Sequence, residues 1–254
     1  MRPRIAIPMP HSSDPEYAER AIPQYELAVA LAGGDPVRIP IGANSTEIKK
    51  LTDTCNAVLL PGSKADVDPA KFGAEGSPHT AAADTWREQT DFFLLEDAYA
   101  DRKPVLCICY GLQSLNVFQG GSLIQHIPDF LPQKTRSKVN HEAGKKVKIA
   151  HNVEIDGGSA LAGIVSQTGN GRRGELQDPL VLPVNSSHHQ SANVIGSGLR
   201  IVARCPDDEI VEALEGTSKN HFVLAVQWHP ERAVEEDEAS RNIFRALIDA
   251  ANER

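Results

Sequence analysis

The chain has 254 residues, of which 41% are hydrophobic and 24% charged, enough to bury a sizeable core with a well-charged exterior. Its 26 basic and 34 acidic residues give a net charge of −8, which argues against a protein that tracks nucleic-acid phosphates or lies on an anionic membrane. No apolar run approaches the roughly 18 to 20 residues of a membrane-spanning helix, and the N-terminal MRPRIAIPMP is broken by prolines, reading as a first strand and not as a signal peptide.

Strand and helix patterns alternate through the first half. Arg4–Met9 is a short apolar strand, Ala21–Ala32 a helix with Pro23 in its first turn and Gly33-Gly34 as a stop, and Asp35–Pro40 a second strand. Ser45–Thr52 reads as a short capped helix and Ala57–Leu60 as a buried strand ending at Pro61-Gly62. Thr85–Ala100 has helical spacing, Pro104–Ile108 is another apolar strand, and Gly111–Phe118 is helical. Such alternation predicts an α/β fold whose parallel sheet is covered on both faces, with ligands bound beyond the carboxyl ends of its strands. Later segments, Lys146–Ile155, Arg200–Arg204, Ile210–Leu214 and Phe222–Gln227, read as shorter, partly antiparallel strands. Val165–Pro179 reads as a polar surface loop. The chain ends in an amphipathic helix, about Glu235–Ala251, whose acidic side is either a solvated face or part of a homodimer contact. No repeat or long linker divides the sequence, so one domain over 1–254 is expected.

The four cysteines, Cys55, Cys107, Cys109 and Cys205, form no CxxC and no repeated metal spacing, which points to reduced thiols in a cytoplasmic protein. Cys109 stands apart. It follows a buried strand and precedes a helix, the placement of a nucleophile elbow, written here C-x-C-x-G. There the helix dipole favours the thiolate, the Tyr110 N–H points to where an oxyanion would form, and Gly111 keeps bulk out of the turn. The alternative is a buried packing cysteine, the reading preferred for Cys107 within the strand. In AVQWHPERA, His229 is a candidate base for Cys109 and Glu231 a candidate partner for its other nitrogen, provided Pro230 bends the chain between them. The histidine pair of VNSSHHQS finds no third ligand with zinc spacing and there is no HExxH, so no metal and no cofactor is expected. That stretch reads instead as a substrate-lining loop, with the Asn185 amide among its polar contacts.

Together these residues resemble the class I glutamine amidotransferase-like family, and within it the γ-glutamyl-γ-aminobutyrate hydrolase branch. The resemblance runs over roughly Ile5 to Leu247. It includes, in order, Leu59-Leu60-Pro61-Gly62, Asp66-Val67-Asp68-Pro69 with Phe72-Gly73, Asp84, Arg87 and Asp91, Cys109, Gly120-Gly121-Ser122-Leu123 with Gln125, NSSHHQ and QWHPE. It implies a flavodoxin-like three-layer sandwich with a mostly parallel central sheet and a smaller antiparallel region. It also implies a Cys109–His229–Glu231 triad that cleaves a γ-glutamyl amide through a thioester, and an oxyanion site from Tyr110 and the Gly62-Ser63 loop. Gln113, Ser187 and His188 are the implied substrate contacts. Two departures bear on substrate choice. Tyr110 replaces the branch's usual arginine, and the oxyanion loop reads Gly62-Ser63-Lys64-Ala65, making Lys64 a candidate source of the missing charge. Three functions follow: a stand-alone γ-glutamyl hydrolase acting on a small molecule, a glutaminase subunit serving a separate synthase, and a non-catalytic ligand-binding protein on the same fold. The amine pocket is expected from loops that include His11, Tyr17 and the Val165–Pro179 segment.

Overall fold

A computed structural model describes residues 1–136, 138–167 and 179–253; most of the predicted Val165–Pro179 loop lies outside them. In chain order the elements are β1 (Arg4–Pro8), α1 (Pro15–Leu31), β2 (Asp35–Ile39), α2 (Ser45–Thr52), β3 (Ala57–Leu60), α3 (Thr85–Asp101), β4 (Val105–Ile108) and α4 (Tyr110–Phe118). Then follow β5 (Leu123–Ile124), the single turns α5 (Ile127–Phe130) and α6 (Gln133–Arg136), β6 (His151–Ile155), α7 (Ala160–Val165), β7 (Leu180–Val184) and β8 (Ser191–Ala192). The chain closes with β9 (Leu199–Arg204), β10 (Val211–Gly216), β11 (Val223–Val226) and α8 (Glu238–Asn252).

Among the described residues one nine-stranded sheet runs β2-β1-β3-β4-β11-β10-β9-β6-β7, and β5 pairs with β8 in a separate small sheet. The β2-β1-β3-β4-β11 half is parallel, as in flavodoxin-like folds, and the remaining strands continue it antiparallel. The period-two alternation of strand side chains divides the core into two. Ile5, Ile7, Leu59, Leu106, Ile108, Leu224 and Val226 face α1, α7 and α8. Ala6, Val58, Leu60, Val105, Cys107 and Ala225 face α2, α3 and α4. Strands buried on both faces have no polar side, which is why they read as continuous apolar runs.

The boundaries moved where capping outweighed pattern. The first helix begins at Pro15, not Ala21: the Asp14 carboxylate accepts from the Tyr17 N–H and Pro15 takes the first turn, where its missing N–H costs nothing. Pro23 therefore lies inside the helix, on its exposed side, where the carbonyl it leaves unpaired can meet water. In α2 the cap is Asn44, which forms a reciprocal capping box with Glu47. The Lys146–Ile155 strand shortens to His151–Ile155, and its partner β7 is an edge strand that the sequence pattern did not mark.

Helix α4 must start almost on top of β3. A Cβ at Gly111 would lie 2.4 Å from the Leu60 carbonyl oxygen and 2.9 Å from Leu60 Cβ. In an open helix Gly→Ala gains about 1 kcal/mol from propensity, but here the obstacle is main chain and cannot rotate away. Gly111→Ala is expected to lower stability by about 1–3 kcal/mol, the usual range for overpacking, read as a lower urea midpoint at unchanged slope.

Candidate active site

Strands β4 and β11 are neighbours in register, with Val226 opposite Ile108. They end at the same edge of the sheet, and the residues just beyond them, Cys109 and the Trp228-His229 pair, emerge together. The Cys109 N–H still donates to the Val226 carbonyl at 2.8 Å. Its backbone then turns to φ 53°, ψ −106°, a left-handed value held by a non-glycine residue. That turn reverses the chain into α4, whose N-terminus receives no side-chain cap, leaving its positive end open toward the thiol.

A 3₁₀ turn at Pro230–Arg232 supplies the bend that contact between His229 and Glu231 requires. The His229 Nδ1 donates to Glu231 Oε1 at 2.7 Å, and both residues are buried. The Cys109 sulfur lies near the ring and interacts with it electrostatically. Burial alone would lower the His229 pKa. The Glu231 carboxylate and the adjacent Cys109 sulfur outweigh it and raise the value to about 9. The Asn185 amide is turned to the main chain of His229 and not to the cavity. Its Nδ2 donates to the His229 carbonyl at 2.8 Å, and its Oδ1 accepts from the His229 N–H at 3.0 Å.

Cys109, Tyr110, Gln113, Ser63, Lys64, Ser187, His188 and His229 all line one cavity of about 610 Å³, together with Tyr17, Asp66 and His189. A cavity of about 700 Å³ elsewhere, lined by Gly216–Leu224 and Arg102, contains no cysteine. Of the oxyanion-loop pair, the Gly62 N–H already donates to the Tyr25 hydroxyl at 3.0 Å. The Ser63 N–H and the first-turn N–H of Tyr110 have no such acceptor among the described residues. Gly62 is needed for space: a Cβ there would lie 3.0 Å from His229 Cε1 and 3.1 Å from the Tyr25 hydroxyl. Gln113 Nε2 is held by the Gln190 carbonyl at 3.2 Å. His188 borders the cavity, but its ring nitrogens point inward, at 2.7 Å from the Gln190 carbonyl and 3.0 Å from Ser186 Oγ. Lys64 forms an ion pair with Asp14 at 2.8 Å and lies over the Tyr17 ring.

Several contributors escaped the sequence reading. Arg20, Lys145 and Arg232 bring further positive charge to the cavity, but they lie on three separate segments. His189 pairs with Asp66 at 3.0 Å. Burial and the nearby Cys109 push the Tyr17 phenol up to about 12, so it remains a hydrogen-bond donor. His11 contacts Asp84 at 3.1 Å and does not line the cavity. Burial also drives the Cys107 thiol well up, consistent with packing alone.

Beneath the site lies Arg87, fully buried. It donates to Asp91 at 2.7 Å, to the Pro10 carbonyl at 2.9 Å and to the Pro61 carbonyl at 2.6 Å, and its guanidinium lies 5.0 Å from the Tyr110 ring centre.

Comparison with known proteins agrees with this architecture. Solved structures with the same fold include the glutaminase domain of Trypanosoma brucei CTPS with bound acivicin (TM-score 0.63, 18% identity, 99% of this chain and 94% of that one). PurLQS from Thermotoga maritima also matches, with TM-score 0.58 and 17% identity over 98% of this chain and 99% of that one. The class is therefore a flavodoxin-like α/β fold, shared with that glutaminase domain. Residues 5–231 match the peptidase C26 family, and the chain belongs to it. Its relatives include the γ-glutamyl-γ-aminobutyrate hydrolase PuuD of Escherichia coli K12, 32% identical over 89% of this chain and 84% of the relative. A Mycobacterium tuberculosis protein, named provisionally as a glutamine amidotransferase, is 35% identical over 90% of this chain. The matched region spans 66% of that relative's length. No described helix is long and apolar enough to cross a membrane.

Removing one partner of a buried ion pair strands the other charge, so Arg87→Met should cost about 3–5 kcal/mol. Arg87→Met/Asp91→Leu removes both charges but still leaves the loop carbonyls without their donor. Its urea midpoint is expected to stay well below wild type, and full recovery would show that the carbonyl contacts carry no weight.

Proposed function

We propose that this chain is a cysteine hydrolase that cleaves the γ-glutamyl amide bond of a γ-glutamyl amine or peptide, releasing glutamate and the free amine. The observation that carries this reading is the Cys109 thiol, held at a strained strand-to-helix turn with the His229–Glu231 pair beside it in one cavity. Family membership and the named hydrolase relatives support the coarser activity, amide hydrolysis.

In this reading the ionised Cys109 sulfur attacks the side-chain carbonyl carbon of the γ-glutamyl group. The carbonyl electrons move to oxygen, where the N–H groups of Tyr110 and Ser63 meet the developing charge. The intermediate collapses, the C–N bond breaks, and the His229 imidazolium gives its proton to the departing amine. The product is a γ-glutamyl thioester on Cys109. Water then attacks that carbonyl, His229 takes its proton, and the C–S bond breaks to release glutamate and return the sulfur as thiolate. Glu231 acts through His229, fixing its tautomer and supporting its charge. Gln113 and Ser187 contact the glutamyl head group. Arg20 and Arg232 give the mouth a positive edge, Lys64 and Lys145 being paired with Asp14 and Glu142; that edge favours a leaving amine that carries a carboxylate, as γ-aminobutyrate does.

The test is amine release from a panel of γ-glutamyl compounds, free L-glutamine included, by wild type and Cys109→Ala. The expected result is turnover of a carboxylate-bearing γ-glutamyl amine, little turnover of glutamine, and loss of more than about a thousandfold in the variant. Absence of turnover across the panel would favour a glutaminase subunit that needs its synthase, or a ligand-binding protein.

The pH dependence provides a second check. An imidazolium is required as the amine leaves, so activity should hold up to pH near 9 and fall above it as His229 loses its proton. Glu231→Gln removes the carboxylate that raises this pKa. The alkaline limb should therefore move to lower pH, and an unmoved limb would show that Glu231 does not set the His229 charge.

A further inference from the structure

Behind the wall of the cavity lies a second group of titratable side chains, one the proposed reaction does not use. His141, His151, His188 and Glu212 each offer one ligand atom, these atoms lie within 4.8 Å of one another, and all four residues are buried. Glu212 is fully covered, and its Oε1 is 3.1 Å from His141 Nδ1, 3.3 Å from His151 Nε2 and 3.5 Å from His188 Nε2. We propose that these four side chains form a structural zinc site, with three imidazoles and one carboxylate as a closed tetrahedral set. The inference stands apart from the hydrolase reading, because it uses neither Cys109 nor His229.

The distances fit. Zinc bonds of 2.0–2.2 Å to nitrogen and oxygen in a tetrahedron place ligand atoms about 3.4 Å apart. The three nitrogen–oxygen separations bracket that value. The orientations fit as well. Glu212 Oε1 and Oε2, His141 Nδ1 and His151 Nε2 are buried with no hydrogen-bond partner, although they lie close to one another. His141 Nδ1 and His151 Nε2 face Glu212 Oε1 at 3.1 and 3.3 Å without hydrogen-bond geometry.

The outer contacts fix which nitrogen faces that point. His141 Nε2 is 2.9 Å from Asp208 Oδ2, His151 Nδ1 is 3.0 Å from the Asn152 carbonyl, and His188 Nδ1 is 2.7 Å from the Gln190 carbonyl. Each of those oxygens is an acceptor, so each ring donates an N–H outward, and the nitrogen left facing the group is the one that can take a metal. This is the arrangement that orients metal-bound histidines. Three inward nitrogens and a carboxylate then meet in a buried space that calls for positive charge. A protonated imidazole supplies it along one edge of the group, whereas a divalent ion satisfies all four ligands. Among the described residues Ser186 Oγ, 3.0 Å from His188 Nε2, is the hydroxyl that meets an inward nitrogen, and it would turn away as the ion binds. With the rings neutral, the ion's two positive charges balance Glu212 and Asp208. Nitrogen-rich tetrahedral sites of this kind suit zinc, and four protein ligands leave no open position for catalysis.

No third ligand stands at zinc spacing from the adjacent histidines in the sequence. The partners of His188 come instead from the loop before β6, from β6 itself and from β10. The site would thus pin together four segments. One of them, residues 185–190, holds Asn185 against His229 and lines the cavity with Ser187 and His189.

The test is the metal content of the purified full chain by mass spectrometry, together with the visible spectrum after cobalt replacement. Wild type and Cys109→Ala are expected to hold about one zinc per chain, and Glu212→Gln and His151→Gln to hold less than about a tenth of that. Cobalt-loaded wild type should show the intense visible bands of a four-coordinate nitrogen–oxygen site, and chelation should lower its Tm. His141 also shares a possible ligand group with Cys205 and Asp208, so a sulfur-to-cobalt charge-transfer band would place the ion there and overturn the proposal. So would equal zinc in wild type and both variants. If the variants do not fold, wild type decides: unfolded in chelator and refolded with excess zinc or cobalt, it must retain the ion through gel filtration, and failure to do so overturns the proposal.

Discussion

The arrangement at the carboxyl edge of the sheet depends on the buried Arg87 guanidinium. Its donors reach the carbonyls of Pro10 and Pro61, which follow β1 and β3, while Asp91 on the same helix balances its charge. Loop carbonyls at a strand end have no ladder partner and ordinarily turn to water. By taking them inward, Arg87 holds the Gly62-Ser63 loop against the Cys109 turn and supports the Tyr110 ring from below. Lysine has one compact charge and no planar fork, so it cannot serve several fixed acceptors in this way. The same contact accounts for Tyr110 where an arginine was expected. The residue is buried against an arginine from α3 and takes no part in lining the cavity with charge, which leaves that role to residues at the mouth.

The change from parallel to antiparallel pairing at β11 sets the second constraint. Because β11 lies parallel to β4, both strands deliver their following residues to one edge, and their register fixes how far apart those residues emerge. An antiparallel β11 would have sent His229 to the far edge of the sheet. The strand ladder, not the side chains themselves, thus brings nucleophile and imidazole together. Glu231 then needs only the 3₁₀ turn that Pro230 starts.

Much of this was legible in the sequence because it depends on local chemistry. The apolar runs of β1, β3 and β4 have no polar face, and the C-x-C-x-G stretch marks a strand entering a helix. The limits are equally physical. Asp14 and Pro15 began α1 six residues before the pattern suggested, since a cap and a proline at the first turn outweigh a weak apolar stripe. Strand β7 alternates half-buried and exposed residues at the sheet edge, so its pattern is faint. At the site, Asn185 and His188 carry the types expected of substrate contacts, and only their backbone and carboxylate partners, distant in sequence, show that they face inward. Arg20, Lys145 and Arg232 gather at the cavity through tertiary packing, which no short spacing records.

The cavity wall raises a question of rigidity that regular structure does not answer. Between β7 and β8 the chain has no ladder of its own, yet it must hold Asn185 within hydrogen-bond distance of the His229 main chain. What holds it is a set of main-chain bonds, from the Gly144 N–H to the Ser186 carbonyl, the His188 N–H to the His141 carbonyl and the Ile127 N–H to the His189 carbonyl, together with side-chain anchors. Asn185 grips His229, His188 turns into the Glu212 group, His189 pairs with Asp66, and Ser191 Oγ donates to the Val211 carbonyl. Asn185 and His189 tie the segment to the turn after β11 and to the loop after β3, while His188 and Ser191 both tie it to β10. His188 joins a group in which three imidazoles surround one carboxylate. With no metal there, its contact to Glu212 rests on a proton carried by one of those rings. With a divalent ion there, the same four side chains become the stiffest point of the segment, and the orientation of His229 depends on them through Asn185.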